Sequence, residues 1–374
     1  YRTEAFEPAE FAHGTLEVGS DARLDFIDQE QNLLDGSLRN QTWDRRVDAS
    51  ISGMDVGFYG DLDWEFAEIV RFRFGARADV LSYEVEDRLG NFVPAVRPDD
   101  AFIQGHRRSA LGIAAGPRTS VEVRPLESLS LLASYGEGYR SPQARLLEDG
   151  EKAPFTKVHS GDVGFKWRFG ALLEVSGAAF YTRLSDDVAF DAAEGRLERV
   201  GATERLGGTL YLLAHPASWM LTSVSVTYVN AVLIEPPPPS ASEPAPPFTA
   251  GQALPYVPPL VARVDWGVRH PITRWGENDL LGRAGVGLSF LSPRPLPFGE
   301  TALPVGLLDA SVGVDWGPMQ LSLDGFNLLD RSWAASEYQF VSNWDPSGVP
   351  SRIPARHVAA GSPLSFLVTL GVTL

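Results

Sequence analysis

The side chains best equipped for chemistry are charged residues set at every second position. Arg71, Arg73, Arg77 and Asp79 share one phase of a run whose other phase is Val70, Phe72, Phe74, Ala76, Ala78 and Val80, and Arg263, Asp265 and Arg269 repeat the arrangement later. Guanidinium and carboxylate groups make charge-assisted hydrogen bonds, so such rows can grip a charged partner, or pair with neighbouring strands and keep one face wet. A second candidate is the segment from Arg331 to Pro363. Its Trp333, Tyr338, Phe340, Trp344 and Arg352 offer flat rings and a cation that suit stacking on a large ligand, or folding over one another. Acidic residues gather at Glu148, Asp149 and Glu151, and again at Asp186, Asp187, Asp191 and Glu194. A calcium ion needs several convergent oxygens; these groups read as solvated loops, and no metal or cofactor is expected.

Enzymatic signals are missing. The six histidines, His13, His106, His159, His215, His270 and His357, show no metal-ligand spacing, and none has a serine two residues away along a strand-like run. Without cysteine the chain has no disulfides, thiolate metal sites or thiol nucleophile. A formal charge of −16 argues against nucleic acid, whose binding rests on a basic surface. The expectation is a chain that is not an enzyme.

The elements that would position these residues are strands. Leu16, Val18, Ala22, Leu24 and Phe26 alternate with Glu17, Asp21, Arg23 and Asp25, and the same two-faced pattern recurs to the end, where Leu364, Phe366, Val368, Leu370, Val372 and Leu374 stay in phase. Successive side chains of a strand point to opposite faces, whereas a helix would scatter the arginines around its circumference. The pattern yields about fourteen antiparallel strands, several reaching the roughly 9–11 residues that a tilted strand needs to cross a bilayer. No stretch makes a good membrane helix: the longest charge-free one, from Leu206 to Ile234, contains Gly207, Gly208, Pro216 and Asn230. A membrane protein of this kind must be a β-barrel.

Connection lengths alternate. Short ones are expected near 63–67, 124–127, 168–171, 215–218 and 315–318, with a somewhat longer one at 271–279. Long ones are expected near 28–48, 85–108, 136–158, 185–201, 235–255, 292–303 and 329–362. Short periplasmic turns and long extracellular loops alternate this way in outer-membrane barrels. Trp64, Trp167, Trp219, Trp266, Trp275 and Trp316 fall at or beside the short connections, as an indole belt at a membrane interface would. Residues 235–248 hold seven prolines and read as a stiff spacer.

Several segments resemble the C-terminal part of TonB-dependent outer-membrane receptors. They are Tyr135 to Gly150 (YGEGYRSPQARLLEDG), Phe72 to Glu84 (FRFGARADVLSYE), Leu254-Pro255-Tyr256-Val257-Pro258, Phe326-Asn327-Leu328-Leu329-Asp330, and the apolar last strand. The resemblance implies that residues 1–374 are one transmembrane domain, the C-terminal portion of a barrel of about 22 strands filled by a plug. By this reading the plug, its TonB-contacting segment and about eight strands belong to a second chain or a missing N-terminal part. Any export leader is removed or lies upstream of Tyr1. Leu374 departs from the aromatic residue with which the family usually ends.

The resemblance further implies an outer-membrane location in a Gram-negative bacterium, with lipid, plug and, through the plug, TonB as partners. The function it implies is energised import of a scarce large solute such as a metal–siderophore complex, cobalamin or an oligosaccharide. The charged rows would then grip the plug. Two other readings stay open: a self-closed channel of about 14 strands that conducts passively, and a structural or adhesive barrel whose loops bind a surface partner.

Overall fold

The computed structural model describes residues 1–9, 11–35, 39–89, 106–140, 155–192, 196–236, 249–342 and 353–373. In chain order the first strands are β1 (Phe6–Ala9), β2 (Ala12–Asp35), β3 (Gln41–Phe66), β4 (Val70–Asp87), β5 (His106–Leu126) and β6 (Leu129–Arg140). Next come β7 (Thr156–Phe169), β8 (Leu173–Asp191), β9 (Arg196–Ala217), β10 (Met220–Glu235), β11 (Leu260–Trp275) and β12 (Asn278–Leu291). The chain continues through β13 (Arg294–Pro295), β14 (Thr301–Ala302), β15 (Val305–Trp316), β16 (Met319–Phe326), β17 (Ala334–Ser342), β18 (Ile353–Ala360) and β19 (Ser365–Val372).

One sheet takes fifteen of these strands in the order β1 to β12, then β15, β16 and β19, and β13–β14 and β17–β18 form separate hairpins. Apart from the short β1, this gives the expected fourteen antiparallel strands. Among the described residues no ladder joins β1 to β19, so the sheet has two edges.

Register makes each face continuous. Antiparallel partners point to the same side, so Trp64, Phe72 and Val121 share one face while Asp63, Arg73 and Ser120 share the other. The apolar face is exposed from end to end: Phe26 is 81% accessible, Ile113 72% and Val368 66%. Such a band is a lipid-facing surface, since water would penalise it heavily. On the polar face side chains reach across an intervening strand, as Arg77 does from β4 to Asp21 on β2, which marks that face as concave and lumenal. Buried apolar clusters are small and lie on this inner side toward the long loops: Ala49, Ile51, Val85 and Ala110, and then Val200, Ala231, Leu233 and Leu254.

The structure moves several boundaries. The connection expected at 271–279 is a tight turn at Gly276 and Glu277, because β11 passes through Pro271 at a register shift between Pro271 and Thr273. A proline is tolerated in a strand where the ladder is already irregular, and Gly276 takes the positive φ (67°) that the turn requires. The turn expected at 63–67 lies instead between Phe66 and Val70. Much of the segments expected as loops at 28–48 and 185–201 is strand, since β2 and β3 pair up to Asp35↔Gln41 and β8 and β9 up to Asp191↔Arg196. In sequence these extensions mix polar and apolar residues without strict alternation, so they carry no period to read.

Candidate site on the inner face

The inner face of β2–β5 carries a ladder of ion pairs. Arg71 holds Asp63 with two hydrogen bonds (2.9 and 2.5 Å), and Arg73 reaches the same carboxylate at 3.4 Å. Arg77 grips Asp79 (2.9 and 2.5 Å) and Asp21 (2.8 and 3.0 Å) together. On β5, Arg118 is bidentate on Asp61, and Arg124 holds Glu122 (2.9 and 3.2 Å) and Glu65 (3.2 Å). Register explains the pattern: Asp63 faces Arg73 and Glu65 faces Arg71, so acids on β3 lie within reach of bases one or two strands away. Asp79 is 1% exposed, and Arg77 compensates its buried charge.

Against this ladder lies a cleft of about 680 Å³, lined by Arg73, Arg77 and Arg118 together with Ser120, Ser134 and Asp162. Arg73 is the cation least committed to the wall, 60% exposed with its one ion pair among the described residues at 3.4 Å.

The second charged row lies on another part of the wall. Arg263 holds Asp265 (2.9 and 2.6 Å) and Ser289 (2.7 Å), while Arg269 and Arg283 share Asp315 at 3.3 and 3.5 Å. Between them the inner face is nearly bare, because Gly267 faces Gly285 and Asp265 faces Gly287. No hydrogen bond or ion pair joins this row to the β4 row among the described residues. The alternation that flagged Arg71 to Asp79 also runs through Arg118, Ser120, Glu122 and Arg124, a signal the sequence reading passed over.

A third cluster corrects the reading of Asp187 as a solvated loop acid, since its carboxylate is buried on β8. At the loop end of β8, beyond the length needed to span a membrane, Asp187 accepts hydrogen bonds from Arg140 (3.1 Å), Arg205 (2.6 Å) and Thr203 (2.9 Å). Burial works to raise its pKa, but the bonds from Arg205, the Val188 N–H and Thr203 outweigh it and the carboxyl titrates below its ordinary range. Arg140 and Tyr139 belong to the YRSP stretch, and Tyr139 donates to the Arg77 carbonyl (3.0 Å), so this motif ties the end of β6 to both β4 and β8.

Among the described residues the loop aromatics do not converge. Trp333 donates to the Ser362 carbonyl (3.0 Å), Tyr338 meets Tyr256 at 5.5 Å, and Phe340 stacks on His357 at 3.9 Å. Trp344 and Arg352 lie outside the described residues, as do Glu148, Asp149, Glu151, Glu194 and most of the proline-rich segment. Hairpin β17–β18 is strapped down instead. Tyr256 donates to the Gln339 carbonyl (3.1 Å), the Val341 N–H to the Ala192 carbonyl (2.7 Å), and Arg356 bonds Glu300 (3.0 Å) and pairs with Glu337 (3.0 Å). Burial in this contact pushes the Tyr256 hydroxyl pKa up.

Five of the six tryptophans sit at the short-turn end. Trp64 and Trp167 are in the last turns of β3 and β7, Trp219 is in the β9–β10 turn, and Trp275 and Trp316 end their strands 5.4 Å apart. Trp266 does not join them: it is in mid-β11, opposite Thr222 and Val286, because Pro271 does not end that strand.

Residues 3–344 match the family described as TonB dependent receptor-like, beta-barrel. The chain belongs to this family of outer-membrane receptor barrels. Among solved structures it is similar to the siderophore receptor PiuA from Acinetobacter baumannii (TM-score 0.72, 14% identity, covering 99% of this chain and 54% of that one). It is also similar to the ferric yersiniabactin uptake receptor FyuA from Yersinia pestis (0.67, 14%, 98% and 52%) and the ferric-catecholate import receptor Fiu from E. coli K12 (0.67, 13%, 98% and 53%). At these identities the likeness is one of fold. The chain spans about half the length of each. Comparison with curated proteins gives no match.

Proposed function

We propose that residues 1–374 form one domain, the C-terminal wall of an outer-membrane receptor that imports a scarce large solute with energy delivered through TonB. The observation that carries this reading is the inner-face ladder of Arg71, Arg73, Arg77 and Arg118 on β4 and β5, set beside a solute-sized cleft in a chain of this family. The ladder offers a plug or a solute charge-assisted contacts that can be exchanged without unfolding the wall. A ferric chelate is a solute of this kind and agrees with what the similar receptors are named for.

The two edges, β1 and β19, support a partner. Unpaired strand edges are strongly unfavourable in hydrocarbon, so further strands must cover them, from a second chain or another part of the same protein. That partner also supplies the plug through which TonB acts. The test is uptake of radiolabelled ferric chelates and cobalamin by cells carrying the whole gene, with and without TonB. Saturable uptake that collapses without TonB is the expected result. Flux that rises linearly with concentration and ignores TonB would identify a passive channel instead.

A further inference from the structure

Asp162 on β7 departs from the pairing of the inner face. On β2 to β5 the inward carboxylates Asp21, Asp61, Asp63, Asp79, Glu65 and Glu122 are each paired with an arginine. Asp162 lines the cleft beside them, and its one partner among the described residues is the Ser134 hydroxyl (3.0 Å). Register puts Asp162 at the end of a row that crosses β4 to β7. Arg73 faces Ser120, Ser120 faces Ser134 and Ser134 faces Asp162, and all four line the cleft. The row therefore runs guanidinium, hydroxyl, hydroxyl, carboxylate. With strands about 4.8 Å apart, its ends are roughly 14 Å from each other along the sheet.

The two ends of the row are the charges least satisfied by the wall. Arg73 is 60% exposed and reaches only Asp63, at 3.4 Å, a carboxylate that Arg71 already holds with two nitrogens. Arg77 and Arg118 are each bidentate on carboxylates. The ground between the ends is open. Ser120 makes no hydrogen bond through its hydroxyl among the described residues. In the adjacent row Arg118 lies over Gly75 onto Asp61, and Gly136 beside it carries no side chain. A carboxylate in a concave wall, where low-dielectric surroundings focus its field, is a strong attractor for a cation.

We propose that this row binds a dipolar solute, with an anionic group on Arg73, an ammonium group on Asp162 and a polar chain between them along Ser120 and Ser134. This deepens, and rests on, the reading of the inner face as solute-binding. Each end contact is a charge-assisted hydrogen bond. The serine hydroxyls both donate and accept, so they match amide or hydroxyl groups along the chain. A solute anionic at both ends would set one of them against Asp162, and a purely cationic one would meet Arg73. The row thus selects the sense of the dipole as well as its length.

Tetraglycine is a suitable probe, since an extended chain of that length spans at most about 14 Å between a free ammonium and a free carboxylate. The test measures its equilibrium dialysis against the whole protein in lipid nanodiscs, beside N-acetyltetraglycine, which lacks the ammonium, and tetraglycinamide, which lacks the carboxylate. Wild type should bind tetraglycine about tenfold more tightly than either. Asp162→Asn should remove the discrimination against N-acetyltetraglycine and keep that against tetraglycinamide. Arg73→Gln should do the reverse, and Asp162→Glu, which keeps the charge, should retain both. The discrimination that each variant keeps shows that its wall is folded. Equal binding of the three peptides to wild type, or no saturable binding of tetraglycine, overturns the proposal; TonB-dependent chelate uptake by cells carrying the same gene then leaves the receptor reading standing. Loss of both discriminations in Asp162→Asn, with the circular dichroism β-signal intact, overturns it too by showing that Asp162 only shapes the wall.

Discussion

The two flanks of the sheet solve the same problem differently. Strands β2, β3, β4 and β5 have 24, 26, 18 and 21 residues, about twice what a tilted strand needs to cross a bilayer, whereas β11, β12, β15, β16 and β19 have 16, 14, 12, 8 and 8. The tall flank binds its inner face together with guanidinium–carboxylate bonds that span four strands. The short flank presents Gly267, Gly285 and Gly287 with a few separate pairs, and hairpin β17–β18 is strapped near its mouth. Charge, in the first case, holds the wall. In the second, it leaves room against the wall and works at the rim.

That contrast can be broken by mutation. The largest effect is expected for Arg77→Ala, which strands the buried Asp79 without its partner and should destabilise the chain by about 3 kcal/mol, read from the midpoint of urea unfolding in lipid. An intermediate effect is expected at the β6–β8 junction. Asp187 titrates low when folded, so its contribution is present above the ordinary aspartate range and is lost as the pH falls through its folded pKa. Hydrogen-exchange protection factors at Asp187 to Val188 and at Thr203 to Arg205, taken against the intrinsic rate at each pH, should fall on acidification, and Asp187→Asn should remove that dependence.

A smaller loss, about 1 kcal/mol, should follow Tyr256→Phe, which deletes the hydroxyl's hydrogen bonds with the Gln339 carbonyl and N–H on hairpin β17–β18. Limited proteolysis should then cut within residues 334–342 faster, with the sheet intact. The smallest effect belongs to Arg263→Ala on the short flank. Both members of that pair are well exposed, 47% and 42%, so the cost should stay below about 1 kcal/mol. If Arg263→Ala proved as damaging as Arg77→Ala, the distinction between the flanks would be lost.

Much of the fold could be read from residue order. Strict alternation in β4 by itself places Arg71, Arg73, Arg77 and Asp79 on one face, because one face of a membrane strand must be apolar along its whole span. Where that requirement lapses the sequence falls silent. The upper reaches of β2 and β3 carry polar residues on both sides, and β11 hides its continuation behind Pro271. The candidate site was legible in part: its bases were visible, but the acids that hold them depend on register, and register is set by the turns. Asp187 lies just beyond a shift in the β8–β9 ladder, so its inward direction follows from an irregularity that no periodicity announces. The β5–β6 ladder likewise ends at Arg118↔Gly136, beside Gly116-Pro117, and only the pairing itself shows where.

The absence of native cysteine allows the most direct test of the account. Single cysteines placed in turn from Val70 to Val80 on β4, in the full protein in outer membranes, would be labelled with a membrane-impermeant maleimide and with a lipid-soluble one. The account predicts strict alternation, with positions 72, 74, 76 and 78 reached by the lipid-soluble reagent and positions 71, 73, 75 and 77 by the aqueous one. Labelling by the aqueous reagent at every position would contradict a membrane-spanning wall with a charged inner face.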